Sequence, residues 1–279
     1  MSTTEIKTRV AKHLLGDNRY FGHSTLHELL GHETATGLVG MAVTGRRCTH
    51  EERDLLDDLA VVMTSADPHI WPLKLARIVA SYGGALAGYT ASMLPMEGQK
   101  QIGPWTIGHA AQTLLDLEGF VETSGGNLNA ETVHSFIEAT PRIRGYGVPL
   151  RDSDERLDAL NVRMRNSGRE ALKYWKLHLA LADGMWAKKQ LRPNITSGFG
   201  AMLLDMGYTP EQASAITTFQ NQNVFAANAL EGARQQVDAL RTLPDDCIEY
   251  VGKPERTSPR ARAKAQEALH LPTSLQAEA

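Results

Sequence analysis

Apolar residues recur at three- and four-residue intervals along almost the whole chain, the spacing that lines one face of an α-helix, and sustained alternation of Val, Ile, Thr and aromatic residues is absent. The pattern predicts an all-α fold. Leu55, Leu56, Leu59, Val62 and Met63 follow Thr49 and Glu52, whose spacing is that of a capping box at a helix start. Thr209, Pro210 and Gln212 sign a second start with an N-cap, an N1 proline and an N3 acceptor. A short helix pair is expected over 26–30 and 36–44, separated by Gly31 and closed by Gly45 ahead of the basic Arg46 and Arg47. Further helices are expected over 72–82, 85–94, 106–117, 130–139, 154–165, 170–188, 197–206 and 223–243, with a marginal one at 261–269. There is no internal repeat.

Small residues crowd the stretch from Gly83 to Ala91. It is too short to span a bilayer and is followed by Pro95, Glu97 and Lys100, so it predicts close helix packing in a soluble core. Two glycine-rich loops interrupt the helical text, one at 124–127 and one from Arg144 to Arg151. In the second, glycines admit close backbone approach while the flanking arginines suit a phosphate or a carboxylate. A plain connection between helices would use the same glycines, and both readings stand at this point. The mildly basic stretch 253–279 is expected to be a flexible tail.

The composition narrows the function classes. With 279 residues, 42% hydrophobic and 22% charged, the chain is an ordinary globular protein. Lys+Arg 29 against Asp+Glu 32 gives no basic field of the kind that holds a phosphate backbone, so no nucleic acid partner is expected. Cys48 and Cys247 are too few for a disulfide framework or a four-cysteine zinc site, which points to a reducing compartment and a cytoplasmic location. The opening Met1 to Val10 has no apolar core of a signal peptide, and no run approaches the roughly twenty apolar residues of a membrane span. No phosphate-binding P-loop or dinucleotide fingerprint occurs. His23, His27 and His32 lie in a segment broken by Gly31 and read as surface histidines, so no metal is expected.

The order of several segments then adds a resemblance. Tyr20-Phe21-Gly22-His23, His27 to His32, Gly37 to Gly45 and the capped helix at Thr49 come first. Ala66-Asp67, the small-residue stretch 80–91, and Gly103-Pro104-Trp105-Thr106-Ile107-Gly108-His109 follow. Gly145-Tyr146-Gly147-Val148-Pro149-Leu150 with Asp154-Glu155-Arg156, and then Lys188 to Gly198 containing Pro193-Asn194-Ile195-Thr196, complete the series. From about Tyr20 to Gly252 this order resembles the citrate synthase superfamily, and within it the citryl-CoA lyase branch, including the lyase module of ATP-citrate lyase.

The resemblance implies a large helical domain at 20–106 and 205–252, preceded by an extension at 1–19, with a small domain at 107–204 closing over a cleft. It also implies a homodimer, or association with a catalytic paralogue, and a CoA thioester plus a small carboxylate as ligands. Family members that make or break a carbon–carbon bond between a thioester α-carbon and a keto acid need a carboxylate to move a proton and histidines to hold the developing oxyanion. In those positions this sequence has Thr106, Val148 and Thr196, which cannot serve. His69, His109 and Asp67 stand next to the vacated positions and are the candidates for a rebuilt catalytic set. Packing of His69 beside Trp71, with His109 facing the small domain, is the bland alternative. The binding frame is better preserved, with Gly145, Tyr146, Gly147, Arg151, Arg156 and Asn194 as candidate CoA or substrate contacts. Two functions follow: a divergent acyl-CoA lyase or ligase, or a non-catalytic member that binds CoA or a paralogue.

Overall fold

The structure is a computed structural model that describes residues 5–64, 67–97, 103, 105–148, 152–237, 245–247, 249, 251–252 and 258–269. It is 67% helical, as the periodicity predicts. The helices are α1 (Ala35–Thr44), α2 (His50–Val62), α3 (Trp71–Gly83), α4 (Ala85–Met93), α5 (Trp105–Thr123) and α6 (Ala130–Ala139), then α7 (Glu155–Asn166), α8 (Lys173–Lys189), α9 (Ile195–Asp205), α10 (Pro210–Gln220), α11 (Gln222–Gly232) and α12 (Pro259–Leu269). Both expected capping boxes form, Thr49 with Glu52 and Thr209 with Gln212. Gly45 closes α1 in the left-handed region at φ 74°, where a side chain would be strained.

Three expectations need correction. A small antiparallel sheet precedes the helices, with β1 (Ala11–Leu14), β2 (Asp17–Tyr20) and β3 (His23–Ser24) in that order. Its residues are mostly polar, only Ser24 among them is fully buried, and they carry no apolar alternation. The hairpin is held instead by a two-residue turn with Gly16 at φ 82° and a cross-strand bond from His13 to Asn18 of 2.6 Å. The stretch 170–188 is not one helix, because Leu172 is extended and separates a short turn at Arg169–Ala171 from α8. The helix expected over 223–243 ends at Gly232, whose Cα packs so closely on α3 that a Cβ would lie 2.6 Å from the Arg77 backbone; positions 238–243 lie outside the described residues.

The chain divides into two compact units, 1–237 and 238–279. In the first, one contiguous core joins Leu55, Leu56 and Leu59 of α2 to Leu114 and Leu117 of α5, Phe136 of α6, Leu160 of α7, Trp175 of α8, Phe199 of α9 and Ile216 of α10. Helix α9 is buried on almost every side, as its continuous apolar composition requires. Gly200 lets it approach α5, where a Cβ would stand 2.9 Å from the Ala111 amide nitrogen. Leu73, Ala76 and Ala80 of α3 pack with Val224, Phe225 and Ala229 of α11 in smaller clusters. Gly88 of the small-residue stretch sits against the Ala76 carbonyl and Ala80, so that stretch serves helix packing within the chain. The described part of the second unit is a turn at Asp245–Cys247 and α12, which Ser258 caps through a 3.1 Å bond from the Ala261 amide.

Candidate functional site

The loop between α6 and α7 is fixed to the segment that opens α9. The Asn194 amide donates to the Gly145 carbonyl at 2.9 Å, the Gly147 amide to the Arg192 carbonyl at 2.8 Å, and Tyr146 pairs with Pro193 as a single β-bridge. Asn194 works in both directions. Its Oδ1 accepts from the Thr196 amide at 3.1 Å and so caps α9, and its Nδ2 donates to the Gly147 carbonyl at 3.1 Å. Gly145 is required by two independent constraints, since its φ is 87° and a Cβ would lie 3.0 Å from that of Ser197.

Behind the loop, Ser197 Oγ lies 2.9 Å from Nδ1 of His178, a ring that is 1% exposed and packs on Trp175 at 5.1 Å between centroids. Burial pushes the His178 pKa down to about 4, so the imidazole is neutral. The Tyr146 hydroxyl is buried beside it with no hydrogen bond of ordinary geometry among the described residues, and burial raises its pKa.

Asp154 joins two helix starts. Its side chain accepts from the Arg156 amide at the head of α7 and, through Oδ2, from the Ile195 amide at the head of α9 at 2.9 Å. Arg156 closes on the same carboxylate with Nε to Oδ1 at 2.9 Å and Nη2 to Oδ2 at 2.8 Å. Burial pushes the Asp154 pKa up, but the Arg156 guanidinium and the two amides outweigh it and hold the carboxyl below its usual range.

Arg156 also lines a cavity of about 120 Å³, together with Thr106 from α5 and Thr196 from α9. Three positions singled out from sequence therefore meet in one place. The remaining walls are mainly apolar and include Met63, Ile70, Leu73, Ile107, Val224 and Phe225, while Thr217 and Asn221 are polar.

The candidate catalytic residues stand elsewhere. His69 and Asp67 pair with each other ahead of α3, Nδ1 to Oδ1 at 2.5 Å, and their side chains are 94% and 62% exposed. The His69 backbone N–H and then its ring lower the Asp67 pKa. Neither lines the cavity, although their neighbour Ile70 does. His109 faces out of α5 with its ring edge-on to Trp105 at 4.8 Å. The Arg144 guanidinium lies 4.7 Å over the same indole, and burial, Arg144 and Arg142 together lower the His109 pKa. Among the described residues neither Arg142 nor Arg144 has an ion-pair partner. Sequence reasoning passed over Trp105, Arg142 and Arg144 as a group because they come from different elements. Arg151 lies outside the described residues, as do Ala66 and Pro104, and Val148 is half-buried at the end of the described loop. Among the described residues no cluster of three His, Cys, Asp or Glu side chains could hold a metal ion, and no helix is long and apolar enough to cross a membrane.

No family model matches the sequence, and no curated protein matches it by sequence. Solved structures do match. Citryl-CoA lyase from Hydrogenobacter thermophilus superposes with a TM-score of 0.76 at 20% identity, covering 92% of this chain and 99% of that one. ATP citrate lyase from Methanothrix soehngenii, in complex with citrate and coenzyme A, gives 0.71 at 16% identity over 91% of this chain but only 43% of its own length. Citrate synthase from Thermoplasma acidophilum, in a ternary complex with carboxymethyl coenzyme A and oxaloacetate, gives 0.58 at 16% identity over 81% of this chain and 58% of that one. Likeness at this identity speaks for architecture, and by it the chain has the citrate synthase fold in the form that citryl-CoA lyase takes.

Proposed function

We propose that the chain binds a CoA thioester and a small keto acid and acts on the carbon–carbon bond between them as a divergent citryl-CoA lyase-like enzyme. The observation that carries this reading is the convergence of Thr106, Thr196 and Arg156 on one cavity beside the Gly145–Gly147 loop, within a fold shared with proteins solved with CoA ligands. The exposed edge of that loop would receive the nucleotide. Arg142 and Arg144 beside it supply positive charge suited to phosphate, and the His109 ring, whose pKa burial and these arginines lower, adds a neutral hydrogen-bonding group. In this reading 20–106 with 205–252 forms the large domain and 107–204 the small one, two copies associate, and the protein works in the cytoplasm.

Cleavage of a citryl-CoA-like adduct requires a base to take the adduct's hydroxyl proton. The carbon–carbon pair then moves to the thioester α-carbon as an enolate, which is finally protonated there. The exposed His69–Asp67 pair, one residue from the cavity wall, is the candidate proton carrier, and His109 is the second.

One observation favours the alternative of a non-catalytic binding protein: among the described residues of the cavity wall there is no carboxylate, histidine, cysteine or lysine. Calorimetry with CoA, acetyl-CoA and oxaloacetate, followed by a lyase assay on citryl-CoA, separates the two. Binding with turnover supports the enzyme, binding without turnover the alternative, and absence of CoA binding removes the enzyme and leaves of the alternative only association with a catalytic paralogue.

A further inference from the structure

We propose that the cavity between the N-terminal hairpin and α1 is a second ligand site, suited to a medium-chain aliphatic carboxylate whose head group meets Lys12 and Arg19 and whose chain lies over Leu29, Leu30 and Leu38. Among the described residues it shares no wall with the cavity under Thr106 and Thr196, and its walls fall within the continuously described stretch 5–64. The site therefore stands whether or not the chain binds CoA.

The cavity holds about 620 Å³, within the roughly 300–1,000 Å³ of sites that enclose small organic ligands. One wall is apolar. It comes from the π-helical turn Thr25–Leu29, a rare geometry that is frequent at functional sites, and from Leu30 and Leu38 beyond it. Leu30 is 70% exposed and Leu38 37%, so two large apolar side chains of the wall stand open instead of packing into the core. An alkyl chain in the cavity would cover them.

The facing wall is cationic. Lys12 of β1 and Arg19 of β2 are direct partners across the antiparallel ladder and so share one face of the sheet. The π-helical turn lies against that face, because the Leu26 amide donates to Asp17 Oδ1 at 3.4 Å and Ser24, the partner of Arg19 in β3, is buried. Like charges placed directly opposite each other repel, and an anion between them removes the repulsion. Arg19 is shared by Asp17 and Glu28 at 3.5 and 3.4 Å, which leaves Lys12 as the principal charge for a ligand and matches it to a monoanion. The acidic wall residue Glu33 does not oppose this. Its buried carboxylate is taken up by Arg47 and Arg53, each 3.3 Å away.

The test is calorimetric titration of the full chain with decanoate, butanoate and decyltrimethylammonium, each below its micelle concentration. Decanoate should bind, butanoate should bind about a hundredfold more weakly because its chain leaves the leucines uncovered, and the cation should give no heat of binding. Lys12→Glu should weaken decanoate binding about tenfold to a hundredfold, the worth of one charged hydrogen bond. This variant keeps a charge on the edge strand and sets it opposite Arg19, so a Lys12 that served only to deter strand pairing would leave the affinity unchanged. Leu30→Gln, at an open position of the wall, should also weaken decanoate, and thermal melts followed by circular dichroism show whether each variant keeps the fold. If either variant melts early, the three ligands on the parent chain still decide. No binding of decanoate by the parent, equal binding of the cation or of butanoate, or unchanged affinity in a folded Lys12→Glu overturns the proposal.

Discussion

Arg156 and Asp154 face each other across the first turn of α7 in a two-point ion pair, and the same carboxylate holds the first amide of α9. A cavity-lining cation is thus fixed by a buried anion that also joins two helices.

Removing the anion should be costly. Asp154→Ala leaves the Ile195 amide unsatisfied and Arg156 without its partner. Breaking a fully buried pair costs about 3–5 kcal/mol, and because Arg156 is 35% exposed the expected loss is nearer 2–3 kcal/mol. Urea unfolding measures it, and a loss under about 0.5 kcal/mol would mean that the pair does not organise the two helix starts.

Gly145→Ala should destabilise more than Gly147→Ala. Both residues have a positive φ, 87° and 93°, and each alanine carries the conformational penalty of about 1–2 kcal/mol. Only at Gly145 does the added Cβ meet Ser197 at 3.0 Å, whereas at Gly147 it enters open space. Equal losses for the two variants would contradict the close approach of the loop to α9.

Stability should fall as pH drops from about 6.5 to about 4 by a component that His178 carries. The folded pKa is depressed to about 4 while the unfolded imidazole titrates near 6.5, so in that window the unfolded chain binds more protons and is favoured. The stabilisation is complete above the unfolded value and is lost on acidification, to the extent of about 3 kcal/mol. His178→Gln should flatten this part of the pH dependence, read from denaturation midpoints at several pH values. An unchanged slope would show that the ring does not resist protonation in the folded state.

The capping boxes, the glycine at φ 74° that closes α1 and the all-helical class were legible because each depends on residues a few positions apart. The β1–β2 hairpin was not, since polar strands held by a turn and one side-chain bond carry no apolar period. The end of α11 was hidden for a different reason. The apolar spacing runs on past Gly232, and the close contact with Arg77 in α3 is visible only in three dimensions. At the site, Thr106, Thr196 and Arg156 were recognisable from motif order, and the structure brings all three to one cavity. The arrangement of Trp105 between Arg144 and His109 belongs to tertiary structure, and no local signal announces it.

The final prediction concerns chemistry. Conversion of acetyl-CoA and oxaloacetate to citrate should be absent or very slow, because abstraction of the α-proton needs a positioned base and Thr196 has none to offer. Thr196 Oγ1 instead bonds Asn194 Oδ1, and Thr106 Oγ1 bonds the Gly103 carbonyl, so both hydroxyls serve the backbone and helix cap. Loss of a positioned acid or base forfeits about 10²–10⁴ in rate, and loss of an oxyanion donor costs about 10²–10³, although such losses do not add. If another thioester and acid are turned over, the exposed His69 becomes the discriminating residue. His69→Ala touches no core contact and should leave the unfolding midpoint unchanged, while lowering kcat by about 10²-fold or more if the His69–Asp67 pair moves the proton. Turnover that survives in His69→Ala and is lost in His109→Ala would transfer the role to the ring beside Trp105. A brisk citrate synthase rate from the parent chain would show instead that Thr106, Val148 and Thr196 do not occupy the catalytic positions assigned to them.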